Sequence, residues 1–77
     1  MQITITDLQK EILTSSTDFN IVCILQYSLT GNTLNLSETH TEMLYDFCCE
    51  FNDANLIDLA TLILKNDRNT IKPFVLN

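Results

Sequence analysis

Hydrophobic and polar positions change period several times along the chain, and each change marks an element. Met1, Ile3 and Ile5 alternate with polar residues, the period-two signature of a short strand. Thr6 and Gln9 then have the spacing of a capping box ahead of Leu8, Ile12 and Leu13, which predicts a helix over 6–14. Thr14-Ser15-Ser16-Thr17 reads as a polar connector.

From Phe19 to Leu29 every odd position is apolar: Phe19, Ile21, Cys23, Leu25, Tyr27 and Leu29. A strand would gather these on one face, whereas a helix would scatter apolar groups round its circumference. Gly31-Asn32 follows, a pair suited to a type II′ turn. A two-residue loop there opposes Thr30 to Thr33, Leu29 to Leu34, Ser28 to Asn35 and Tyr27 to Leu36, matching like with like. The expectation is a β-hairpin over 19–36. A competing reading makes 17–29 a helix with Gly31 as its left-handed C-cap.

Ser37 is placed to cap a helix over 38–51 whose apolar side is Met43, Leu44, Phe47, Cys48 and Phe51. Asn52-Asp53 breaks it and caps a further helix over 54–66, which buries Leu56, Leu59, Ala60, Ile63 and Leu64 and turns Asp58, Thr61 and Lys65 outward. The tail from Thr70 to Leu76 is apolar and contains the single proline, Pro73, which suits an edge strand or an extended arm. Together these elements predict one small α+β domain over 1–77, an antiparallel sheet built on the hairpin and covered by two or three helices. With so small a core, some of Phe19, Ile21, Val22, Ile24, Tyr45, Leu62, Phe74 and Leu76 are expected near the surface.

Charge alters this picture most on the 38–51 helix. Glu38, Glu42, Asp46 and Glu50 recur every four residues, opposite the apolar side, and no Lys or Arg occurs between Glu11 and Leu64. Like charges at this spacing each cost a helix a few tenths of a kcal/mol, so three adjacent pairs cost roughly 1 kcal/mol. Glu50 also stands at the carboxyl end, where the helix dipole disfavours it. Asp53 and Asp58 extend the acidic run onto the next helix. The whole chain carries ten acids against four bases, a net charge of −6. That balance argues against direct contact with nucleic acid or an anionic membrane. It favours a basic protein surface, including one that otherwise holds nucleic acid. The plainer alternative is that the acids only keep the protein soluble. One charge per about 6 Å along the stripe is too sparse to copy the phosphates of a DNA strand, which lie about 3.4 Å apart.

Other chemistry finds little support. The stripe lacks the alternating acids and central glycine of a calcium loop, so no metal is expected. An exposed row of carboxylates offers no paired environments for acid–base catalysis. His40, the single histidine, lies about 12 Å along the helix from Cys48, too far for a dyad. Cys23 and Cys48 read as small core residues, and three cysteines without a C-x-x-C do not form a zinc site or a disulfide framework. Asn35-Leu36-Ser37 matches a glycosylation sequon, which matters only in a secreted chain. With one glycine, Gly31, phosphate-binding loops are excluded, and no cofactor is expected. Met1-Gln-Ile-Thr-Ile has neither a basic n-region nor a long apolar run, and no stretch approaches a membrane span. The expected location is a reducing cytoplasm.

In size, charge and want of catalytic residues the chain resembles phage-encoded inhibitors of bacterial defence, the anti-CRISPR and antirestriction proteins. The resemblance covers no aligned segment and transfers no residue. It implies a non-enzymatic inhibitor acting in the cytoplasm of a bacterial host, its target a basic surface of a larger host protein or complex. The acidic spacing itself, apart from the resemblance, marks the docking residues as Glu38, Glu42, Asp46 and Glu50, supported by Asp53 and Asp58, with Tyr45 supplying apolar contact. A second expectation is a self-assembling module, a homodimer paired through an exposed sheet face (Val22, Ile24) or the 70–76 arm.

Overall fold

The computed structural model describes residues 1–66, and the fold is α+β. Its elements run β1 (Gln2–Thr4), α1 (Asp7–Thr14), α2 (Phe19–Ser28), β2 (Leu29–Thr30), β3 (Thr33–Asn35), α3 (Glu38–Glu50) and α4 (Ala54–Asn66). The three strands form one antiparallel sheet in the order β1-β3-β2. The apolar tail over 70–76 lies outside the described residues, as do Arg68 and Lys72.

Local signals account for most of these boundaries. Thr6 accepts from the Gln9 amide, and the Gln9 side chain accepts from the Thr6 amide, which completes the capping box of α1. Ser37 accepts from the His40 amide at the start of α3. Asp53 accepts from the Asn55 amide at 2.8 Å at the start of α4. Gly31 has φ 61°, while no other described residue has positive φ. That is the II′ pattern, with the unusual torsion confined to the first central position. The register follows as expected, Leu29 opposite Leu34 and Thr30 opposite Thr33.

The hairpin is much shorter than 19–36. Residues 19–28 are helix α2, and pairing begins only at Leu29. Two physical reasons override the odd-position alternation. The returning strand has only 33–36 available before Ser37 starts α3, so a strand over 19–26 would have no ladder partner. Asp18 also caps a helix, accepting from the amides of Asn20 at 2.9 Å and Ile21 at 3.2 Å. Buried Ile21, Ile24 and Ser28, with half-buried Leu25, then follow helical spacing. The competing helical reading of 17–29 has the right element but the wrong role for Gly31, which turns the hairpin rather than capping the helix.

The correction redraws the interior. α2, not a strand, lies against the central strand β3 and bridges it to α3, while α3 and α4 pack on each other. Ile3 and Leu34 from the sheet, and Ile5 and Leu36 just beyond its strands, join Leu13, Ile21, Ile24, Leu44, Cys48, Leu56, Leu59 and Ile63 in one core. Val22 and Ile24 therefore do not share a sheet face: Ile24 is fully buried and Val22 is exposed on α2. Phe51, expected on the buried side of α3, is 46% exposed and stacks on Phe47 with ring centroids 5.2 Å apart.

Candidate functional site

Glu38, Glu42, Asp46 and Glu50 all lie on α3 and all are exposed. The core claims the other side of this helix through Thr41, Leu44 and Cys48. Thr41, a polar residue facing inward, is satisfied because its hydroxyl donates to the Ser37 carbonyl at 2.7 Å.

The acidic row does not run straight. Steps of four residues overshoot a 3.6-residue turn by about 40°, so the row winds through about 120° between Glu38 and Glu50. Its first half stands beside Tyr45 and Cys49. Its second half turns toward Met43 and Phe47, where α2 approaches. There Asp46 and Glu50 line a cleft of about 230 Å³ with Asp18, Asn20, Ile21, Met43 and Phe47. Two carboxylates of α3 and the one that caps α2 thus border an opening whose mixed lining includes half-buried Met43 and Phe47. Asp18, like Asp53, has a capping task, since its Oδ1 accepts from the Asn20 and Ile21 amides, so the negative potential there comes chiefly from Asp46 and Glu50.

The remaining candidate residues divide. Asp58 is exposed on α4. Asp53 is half-buried and its carboxylate caps α4, so it has a structural task of its own. Tyr45 is half-buried against the core and offers less free apolar surface than expected. Its ionisation is pushed up by a hydrogen bond with Cys49 one turn on, then by burial and the negative charge that Cys49 and Asp46 would carry.

Sequence reasoning missed Asp18 and Tyr27, while Phe19 was among the residues expected near the surface. Asp18 was legible as an N-cap ahead of an apolar run. Phe19 and Tyr27 were assigned to the apolar face of a strand, yet they are 77% and 83% exposed. A second, more apolar groove of about 570 Å³ lies between α1 and the end of α3, lined by Leu8, Glu11, Ile12, Ser15, Ser16, Thr17 and Phe51.

Among the described residues no three His, Cys, Asp or Glu side chains converge as metal ligands. The cysteines are free: Cys48 buried, Cys23 half-buried and Cys49 exposed. Among the described residues no helix is long and apolar enough to cross a membrane. Comparison of the chain with family models, with curated proteins and with solved structures returns no match.

Proposed function

We propose that this is a non-enzymatic binding protein that docks its acidic α3 face on a basic surface of a larger protein and thereby occludes it. The observation that carries the reading is the cleft where Asp46 and Glu50 meet Asp18. Solubility alone requires only dispersed charge, and mixed signs serve it well. Here one sign is gathered from two helices around half-buried Met43 and Phe47. A Lys or Arg side chain of a partner would place its cationic head among the carboxylates and its methylene stem against Met43 and Phe47. Glu38 and Glu42 extend the field along α3 and would steer approach more than they add affinity. The inhibitor type is that of the small acidic anti-defence proteins of phage, acting in the cytoplasm of a bacterial host on a surface that otherwise holds nucleic acid.

The experiment is affinity capture from host lysate with the wild-type chain and with a Glu42→Lys/Asp46→Lys variant, followed by titration of the captured protein at low and high salt. The expected result is a partner retained by the wild type only, its affinity falling at least tenfold as salt rises. An affinity indifferent to both salt and charge reversal refutes the reading.

The second reading, self-association with the acids serving solubility, is favoured by one observation, the exposed aromatic rings on α2. A monomer by sedimentation at high protein concentration counts against it.

A further inference from the structure

The ten residues of α2 contain no charge. Its inner side gives Ile21, Ile24 and Ser28 to the interior. Its outer side leaves Phe19, Val22 and Tyr27 exposed at 77%, 42% and 83%. At 100° per residue the three fall within an arc of about 140°, and Phe19 and Tyr27 are about 12 Å apart along the axis. Gln26 is exposed within the same arc, so the face is apolar with one polar residue among the three. Two rings at about 150–250 Å² each still bring it into the range of about 300–600 Å² that on monomers is often functional.

Charge decides between its occupants. A second copy would set α2 against α2, each bringing Asp18 at the helix start, with Asp46 and Glu50 across the cleft by Asn20 and Ile21, and each chain carrying a net −6. Like charges meeting across an interface are penalised. The patch would also supply only about half of the roughly 800 Å² per partner found in stable complexes. A partner with cations around an apolar stripe avoids that repulsion, and by reaching the carboxylates beside α2 it adds their surface to the contact.

We propose that the outer face of α2 docks an amphipathic helix of another protein whose apolar stripe is bordered by Lys or Arg. The apolar stripe packs between Phe19, Val22 and Tyr27, and the bordering cations reach Asp18, Asp46 and Glu50 beside the first turn of α2. The inference rests on the acidic-face reading above and moves the apolar centre of the interface from Tyr45 to α2.

The test is a resonance-by-resonance titration of the full, isotope-labelled chain with three synthetic helices of about 18 residues, long enough to be helical alone. One carries a Leu stripe bordered by Arg, the second the same Arg with Gln in place of Leu, and the third the Leu stripe with Glu in place of Arg. The expected result is that the first peptide shifts the resonances of α2 together with those of Asp46 and Glu50. The Gln-stripe peptide binds at least tenfold more weakly, and the Glu-bordered one does not bind. Phe19→Ser and Tyr27→Ser each weaken the first peptide about tenfold, with thermal unfolding of each variant confirming an intact fold. Equal binding of the Gln-stripe peptide, with shifts confined to α3, overturns the docking of α2 while leaving the acidic-face reading standing. Equal binding of the Glu-bordered peptide overturns the charge argument. A dimer abolished by Phe19→Ser makes a second copy the occupant and overturns the proposal. Failure of both cationic peptides overturns this proposal, while the acidic-face reading is decided by the salt and charge-reversal titration of the captured partner.

Discussion

Gln9 donates from Nε2 to the backbone carbonyl of Asn55 at 3.0 Å, joining residues 46 positions apart. The same side chain accepts from the Thr6 amide through Oε1 at 3.0 Å. One buried amide thus closes the capping box of α1 and ties that helix to the first turn of α4. Gln9→Ala removes both bonds, and destabilisation by about 1–3 kcal/mol is expected in a urea titration. Thr6→Ala should cost about 1 kcal/mol. The double variant should lose less than the sum, because the two residues share one box. Full additivity would show that the box contributes nothing as a unit.

Gly31 has φ 61° and no atom within 4 Å of the place a Cβ would occupy. Any penalty for a side chain there is therefore conformational rather than steric contact with neighbours. Gly31→Ala is expected to cost about 1 kcal/mol, and Gly31→Asn less, since Asn tolerates positive φ. Urea midpoints for the three proteins test this. Equal stability of Gly31→Ala would mean that the turn relaxes to another type.

The caps at Thr6 and Ser37, the Gly31-Asn32 turn and its register were legible in the sequence because each is a short-range device. The extent of the hairpin was not, because Phe19, Val22 and Tyr27 fill the outer face of α2 with apolar side chains and hide its helical period. The four residues left to the returning strand between Asn32 and Ser37, and Asp18 as a cap ahead of the apolar run, expose the error. The exposed acids of α3 were legible as a pattern on one helix. Their meeting with Asp18 was not, because it depends on α2 being a helix packed beside Met43 and Phe47.

Burial, and next the charge Cys49 would carry, push the Cys48 thiol up from 9.0 to about 12. The folded chain keeps a proton that the unfolded chain releases above pH 9. This contribution is whole below pH 9 and is lost as pH rises from 9 toward 12, at up to about 1.4 kcal/mol per pH unit. Tyr45, whose pKa is raised from 10.0, acts in the same sense. Urea midpoints measured from pH 8 to 10 should fall, and Cys48→Ala should flatten the decline. An unchanged slope in that variant would assign the loss to other groups.

Glu42 faces Glu38 one turn before it and Asp46 one turn after it, all three exposed on α3. Glu42→Lys replaces two repulsions at i,i±4 with two attractions, each a change of several tenths of a kcal/mol. The variant should be more stable than the wild type by about 1 kcal/mol at low salt, with the gain fading as salt screens it. Thermal unfolding at two salt concentrations measures this. The same substitution should weaken binding to a basic partner. A residue whose replacement strengthens the fold and weakens the interface serves the surface at the expense of the helix. A loss of stability instead would show that the Glu42 carboxylate has a favourable contact within the chain, and the row would then be part of the fold rather than a docking face.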